Sequence, residues 1–413
     1  MARRRLLPAS ASIDVPRVVL ARTLRGFADG FVSVILATYL THLGYSPLQV
    51  GAIVTGTLLG SAALTLATGL VAHRHELRTL LLAAAVLMAL TGVGFMAVTA
   101  FWALLVIAVV GTLNPSSGDV SVFLPTEQAF LAGHSDDLDR PHLYAIYNLG
   151  GAFAGAFGAL ASGLPEWIAR EADFATVDTF RAGFGVYVIV AVVVFALYRG
   201  LRRDHEVSEI APVAKAPLTE SRRTVFELAA LFSLDAAAGG FTVTALLVLW
   251  LNLRWGLSIV DTAAVFFVVS LLAACSQLLA GPLSRRIGLV RTMVFTHLPA
   301  NLFLVLAAFA PSAGLAIACL MVRALFQSMD VPARQALVMA VVAPEERAAA
   351  ASVTNVPRSL ASAATPLLAG WMLKQTTFGW PLVIAGLGKA TYDLLLLARF
   401  GRRAQATAEL GRR

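Results

Sequence analysis

Apolar blocks of about twenty residues recur twelve times along this chain, each long enough to cross a hydrocarbon layer roughly 30 Å thick as an α-helix. A water-soluble fold has no use for that repetition, because one apolar stripe per helix suffices to build its core. The composition agrees: 58% of the 413 residues are hydrophobic and 14% are charged, against about 25% charge in a soluble domain. With so little polar surface, the chain must be solvated by lipid.

Charged and Gly/Pro punctuation predicts spans at 18–43, 47–72, 79–99, 102–131, 141–164 and 180–199. A second set follows at 225–251, 258–283, 292–310, 313–342, 350–373 and 381–400. Between the sets runs a charged, proline-containing stretch from Arg199 to Arg223 that cannot cross a bilayer. The expectation is an all-α membrane protein: twelve transmembrane helices in two pseudo-symmetric six-helix bundles, 1–198 and 225–413, joined by a cytoplasmic central loop at 199–224.

The net charge of +8 raises nucleic acid as a partner, but the positions of the basic residues point to a membrane. Of 32 Lys and Arg, 24 fall at the chain ends or in alternate loops, four lie in the opposite loops (Arg170, Arg181, Arg254 and Lys374) and four lie within spans (Arg323, Arg334, Arg358 and Lys389). Cytoplasmic loops carry the basic excess, so both termini are placed in the cytoplasm and nucleic acid is excluded as a partner. The amino-terminal stretch is interrupted by Pro8 and Asp14 before any signal-length apolar run, so no cleaved signal is expected. Cys275 and Cys319 sit in separate spans and read as buried small apolar residues.

Internal repetition is the strongest local signal. Pro125-Thr-Glu-Gln-Ala129 matches Pro332-Ala-Arg-Gln-Ala336 at an offset of 207 positions, and the same offset carries Asn148 onto Asn355 and Gly163 onto Gly370. Gly44-Tyr-Ser46 matches Gly256-Leu-Ser258 and Gly69 matches Gly281, both at 212. The chain reads as a duplicated six-helix unit.

Two six-helix halves, a charged central loop and cytoplasmic termini resemble the major facilitator superfamily over essentially the whole chain. Its loop motif G-x-L-A-D-R-x-G-R-K resembles Gly281-Pro-Leu-Ser-Arg-Arg-Ile-Gly288, and more distantly the run from Gly69 to Arg78, with His73 and Arg285 where the motif has Asp. The antiporter pattern of span 5, small-x-x-x-Gly-Pro-x-x-Gly-Gly, resembles Ala154 to Gly163 with Ala159 at the proline position. Ala361 to Gly370 in span 11 carries Thr365-Pro366 at the equivalent place. Gly158, Gly163, Thr365, Pro366 and Gly370 thus form a candidate close-packing motif. The resemblance implies that spans 1, 4, 7 and 10 line a central cavity.

Ionisable residues are costly at the bilayer centre, about 2.5–3.5 kcal/mol each, so those retained within spans are candidate site residues. They are Asp29, Asp119, Glu127, Asp235, Arg323, Asp330, Arg334, Arg358, Lys389 and Asp393, seven of them on the spans assigned to the cavity. Asp29, Asp119 and Asp235 are candidate proton-coupling groups. Asp119 and Glu127, eight apart, are expected on one helix face. Asp330–Arg334 and Lys389–Asp393 are expected i,i+4 pairs. Glu127 and Arg334 are repeat-equivalent and suggest an inner gate shared with Asp330 and Arg358, while Arg323 is the candidate substrate contact. The Gly239-Gly240 pair after Asp235 suggests an interrupted helix.

No phosphate-binding loop, metal-ligand spacing or nucleophile motif is present in the sequence, so an enzyme and a cofactor are not expected. The reading is a secondary transporter in the plasma membrane, a monomer working by alternating access as a proton-coupled exporter, or antiporter, of small organic molecules. The alternatives are an importer or exchanger of an anionic solute and, from another class, a non-transporting receptor or scaffold.

Overall fold

The computed structural model describes residues 12–71, 75–115, 122–134, 140–202, 221–342 and 346–401. Within them lie seventeen α-helices and no strand. Spans 1 to 3 are α1 (Val15–His42), α2 (Pro47–Val71) and α3 (Leu77–Ala97). Span 4 is split into α4 (Phe101–Val110) and α5 (Phe123–Gly133). Span 5 is α6 (Arg140–Ala161), followed by a short added helix, α7 (Leu164–Ala172), and span 6 is α8 (Thr176–Arg199). Span 7 is split into α9 (Arg222–Gly240) and α10 (Thr244–Trp255), while spans 8 and 9 are α11 (Ile259–Ile287) and α12 (Leu289–Phe309). Spans 10 and 11 are split into α13 (Ala313–Gln327) with α14 (Asp330–Val341) and α15 (Arg347–Ala364) with α16 (Pro366–Gln375), and span 12 is α17 (Trp380–Phe400).

Nine of the twelve spans are long and apolar enough to cross a membrane as described, and the other three have physical reasons to fall short. Span 1 carries Arg17, Arg22, Arg25 and Asp29 inside α1, span 4 keeps only ten residues of continuous apolar helix in α4, and span 11 breaks at Thr365. The outward faces are apolar: Trp102, Leu90, Ile189 and Leu387 are all exposed, as lipid-facing side chains are. Cys275, expected to be buried, is also exposed; a thiol is apolar enough to face hydrocarbon, and only Cys319 is buried.

The breaks follow local chemistry. α5 and α14 begin at Phe123 and Asp330, repeat-equivalent positions 207 apart, each with its proline (Pro125, Pro332) at the third helical residue. Proline lacks an amide hydrogen and its ring collides with the carbonyl four residues earlier, so a helix starts there readily, although α11, α12 and α15 run through Pro282, Pro299 and Pro357. Pro366 does the same at the start of α16. At the matching position of span 5 stands Ala159, and α6 runs on to Ala161. Residues 111–115 are not helical and α5 begins at Phe123; Asp119, and with it the expected face shared with Glu127, lies outside the described residues.

Contacts divide the described residues into two units. One takes those of Met1–Tyr45, Gly56–Ala211 and Ser258–Phe267; the other takes those of Ser46–Thr55, Pro212–Leu257 and Val268–Arg413. This differs from a division at the central loop by two ten-residue segments, 46–55 and 258–267, exchanged reciprocally and related by the 212 offset. Each opens with the same device. Gly44 and Gly256 take φ of 84° and 66° to end α1 and α10, a conformation that glycine adopts without strain. Ser46 then shares a capping box with Gln49, whose Oε1 accepts from the Ser46 amide at 2.9 Å. Ser258 does so with Asp261, whose Oδ2 accepts from the Ser258 amide at 3.2 Å.

Within the first unit α1 packs on α6 and α3 on α8; within the second α9 packs on α15 and α12 on α17, the same pairs one repeat later. Glycines let α1 and α6 meet at backbone contact: a Cβ at Gly30 would sit on the Gly155 carbonyl, and one at Gly158 on the Phe27 carbonyl. The first unit's core holds a Tyr39–Phe184–Phe95 aromatic group, and the second's holds Leu228, Phe232, Met293, Leu337 and Tyr392. Gly30→Val and Gly158→Val are expected to cost about 1–3 kcal/mol by overpacking and to lower the thermal transition of the purified protein. Gly314→Ala, with nothing near the added methyl, should leave the transition unchanged or raise it.

Candidate functional site

Buried charges gather in each unit where its broken spans meet their neighbours. In the first unit Glu127 on α5, with a fully buried side chain, accepts hydrogen bonds from Arg25 Nη2 on α1 and from the hydroxyls of Tyr147 on α6 and Tyr198 on α8, the last at 2.5 Å. The Arg25 guanidinium lies 4.0 Å from the Phe123 ring centroid, so its flat face covers an aromatic while its edge meets the carboxylate. Taking both ions out of water costs several kcal/mol each, which is offset only when the remaining lone pairs are bonded as they are here. One turn further along α1, Asp29 meets Arg22 at 3.9 Å and makes no hydrogen bond among the described residues.

In the second unit Asp235 on α9 accepts a hydrogen bond from Lys389 Nζ on α17 at 2.7 Å and faces Arg334 Nη1 on α14 at 3.6 Å. Arg334 also donates to Asp330 at 3.2 Å, the pair expected from its spacing. Asp393 on α17 meets His297 Nδ1 at 3.1 Å and Asn301 Nδ2 at 2.9 Å, both from α12.

The expected Lys389–Asp393 pairing is therefore corrected. Each group bonds across to a different helix, Lys389 to α9 and Asp393 to α12, because a local pair would leave Asp235 and His297 poorly satisfied in an interior where an unpaired charge is expensive. The two units also tie equivalent helices with opposite charges. Span 1 gives the base and span 4 the acid (Arg25–Glu127), while span 7 gives the acid and span 10 the base (Asp235–Arg334), with Glu127 and Arg334 207 positions apart.

Other candidates fall out as follows. Arg323 on α13, one turn before the Ser328–Met329 break, is partly accessible; among the described residues it has no ion pair or hydrogen bond. Arg358 lies half-buried on α15. Thr365 donates its hydroxyl to the Ala237 carbonyl at 2.8 Å, holding the break in span 11 beside the break in span 7, where Gly240 closes on Ser362. Gly370 packs on Gly51 within the second unit, next to the Pro366 carbonyl, and Gly163 packs on Val260 and Ala263 within the first.

Six participants lie outside the candidates drawn from sequence: Arg22, Arg25, Tyr147, Tyr198, His297 and Asn301. Arg22 and Arg25 had been counted with the amino-terminal loop charges but lie inside α1, and their i,i+7 and i,i+4 spacing to Asp29 was the available signal. Tyr147 and His297 gave none, since a lone aromatic or imidazole in an apolar span is ordinary.

A polytopic helical protein whose two related units each bury an ion network on broken helices has the construction of a membrane transporter. The family comparison is direct: the model of the Major Facilitator Superfamily matches residues 18–313 and 229–412, and the chain belongs to that family. A curated relative, an uncharacterized membrane protein of Saccharomyces cerevisiae, is 24% identical over 94% of both chains. Solved structures share the fold. The xylose transporter of E. coli in an inward open conformation has a TM-score of 0.70 at 15% identity, over 92% of this chain and 95% of that one. A nucleoside transporter gives 0.66 at 13% identity (94% and 99% covered), and a POT family transporter holding a conjugated peptide gives 0.71 at 12% (94% and 96%).

Glu127→Gln keeps the shape of the first network while leaving Arg25 without its counter-charge, and should cost about 3–5 kcal/mol. The double variant Arg25→Gln/Glu127→Gln should recover part of that loss in the thermal transition; an equal or larger loss in the double would show that the pairing is not what holds α1 to α5.

Proposed function

We propose that this chain is a secondary active transporter working by alternating access, exporting small organic molecules from the cell in exchange for protons. In this reading it acts as a monomer in the plasma membrane with both termini cytoplasmic, and it draws on the proton gradient without a cofactor. The observation that supports proton exchange is the setting of Asp29. Glu127 is held by three hydrogen bonds, whereas Asp29 has only the distant contact with Arg22, so it can change its charge state without breaking a hydrogen bond. Asp119 and Asp235 are proposed to act with it. The breaks in spans 4, 7 and 10 supply places where helices bend as the cavity changes its opening. Glu127, Asp330, Arg334 and Arg358 are proposed to exchange partners at an inner gate as it does so.

One observation favours a second reading, import or exchange of an anionic solute. A largely buried arginine with no ion pair among the described residues, as at Arg323, is an expensive arrangement that a carboxylate or phosphate of the solute would relieve.

Reconstitution in liposomes with a pH dye separates the readings, using compounds first found to raise the thermal transition of the purified protein. Protons moving against the compound support exchange, protons moving with it support import, and no flux for any stabilising compound supports a receptor. Asp29→Asn should reduce coupled proton movement at least about tenfold, equivalent to roughly 1.4 kcal/mol, while the compound still stabilises the protein. Arg323→Ala should abolish that stabilisation only for anionic compounds.

A further inference from the structure

The buried charges of the two units differ in their balance. Among the described residues of the first, Arg22 and Arg25 stand against Asp29 and Glu127, two charges of each sign. Among the described residues of the second, the linked cluster sets Asp235, Asp330 and Asp393 against Arg334 and Lys389, one negative charge in excess, and its sixth member is His297. One proton on His297 cancels the excess. We infer that the His297–Asp393 pair, joining spans 9 and 12, is a proton-binding site whose occupancy controls the Asp235–Lys389 tie on span 7.

The geometry supplies each step. Protonated His297 donates from Nδ1 to Asp393, whose other oxygen is occupied by Asn301. Lys389 is then free to serve Asp235 across the interface with α9. When the proton leaves His297 for water, Asp393 loses its cationic partner, and Lys389, one turn earlier on the same face of α17, becomes the nearest cation able to replace it. A shift of Lys389 toward Asp393 withdraws it from Asp235, which sits one turn before the α9–α10 break at Gly240. Proton occupancy is thereby linked to the bend in span 7. The side chains grade from fully buried at Asp393, through 5% exposure at His297, to 13% at Lys389, so the cluster is most open at its lysine end.

Among the described residues, charged and titratable groups face the pair from three packed helices. α17 brings Lys389 and Tyr392, α9 brings Asp235, and α14 brings Asp330 and Arg334; α13 carries Arg323, which has no ion pair among the described residues. The site rests on the proton-coupled reading only for its role in transport; proton binding itself is testable without a substrate.

The test is histidine-selective 15N NMR of the full-length protein in lipid bilayers, with the His297 signal assigned by its disappearance in His297→Gln. His297 is expected to titrate in one step between about pH 5 and pH 8. Asp393→Asn should weaken its proton affinity at least tenfold, and Lys389→Gln should strengthen it. A His297 that keeps one protonation state over that range, or titrates identically in both variants, overturns the inference. If Asp393→Asn fails to fold, Lys389→Gln alone decides, since an unmoved midpoint there breaks the proposed link. A titrating His297 in a protein that moves no protons in liposomes would instead sink the transport reading and leave the site standing.

Discussion

In hydrocarbon no water is available to the backbone, so every amide and carbonyl must find its partner inside the protein. That constraint makes the chain helical, and it also makes each helix break a costly event needing local compensation. The breaks here are confined to spans 4, 7, 10 and 11. They occur where proline has no amide to leave unpaired, as at Pro125, Pro332 and Pro366, or where a neighbouring side chain takes up a freed carbonyl, as Thr365 does for Ala237. Part of each buried charge network sits on these broken spans, Glu127 on α5 and Asp235, Asp330 and Arg334 on α9 and α14, while its partners come from unbroken α1 and α17.

Duplication preserved geometry more strictly than charge. The capping boxes after Gly44 and Gly256, the starts of α5 and α14, and the helix pairs that pack within each unit all recur in register. The tie between the first and fourth spans of each half recurs as well, but with acid and base interchanged. An ion pair works equally well with its ends reversed, provided the other buried charges adjust. Among the described residues, the first unit's network pairs arginines with carboxylates, whereas the second's includes an imidazole, the one side chain whose unperturbed charge changes near neutral pH.

How far the site could be read from sequence depended on whether the relevant distance ran along one helix or between two. Asp330–Arg334 was legible because four residues along a continuous helix bring side chains together. Lys389 and Asp393 satisfy the spacing yet bond elsewhere, since the unmet charges of Asp235 and His297 on other helices outweigh an i,i+4 contact.

The twelve spans, the duplication and its register, and the positions where helices must stop were determined by the sequence, because hydrophobic length, proline and glycine act through their immediate neighbours. Which charges meet was decided only by the tertiary structure. Arg25 joins Glu127 across a sequence separation of 102 and Lys389 joins Asp235 across one of 154. A buried ion takes whichever partner the packing of separate helices brings within reach, and no local pattern encodes that choice.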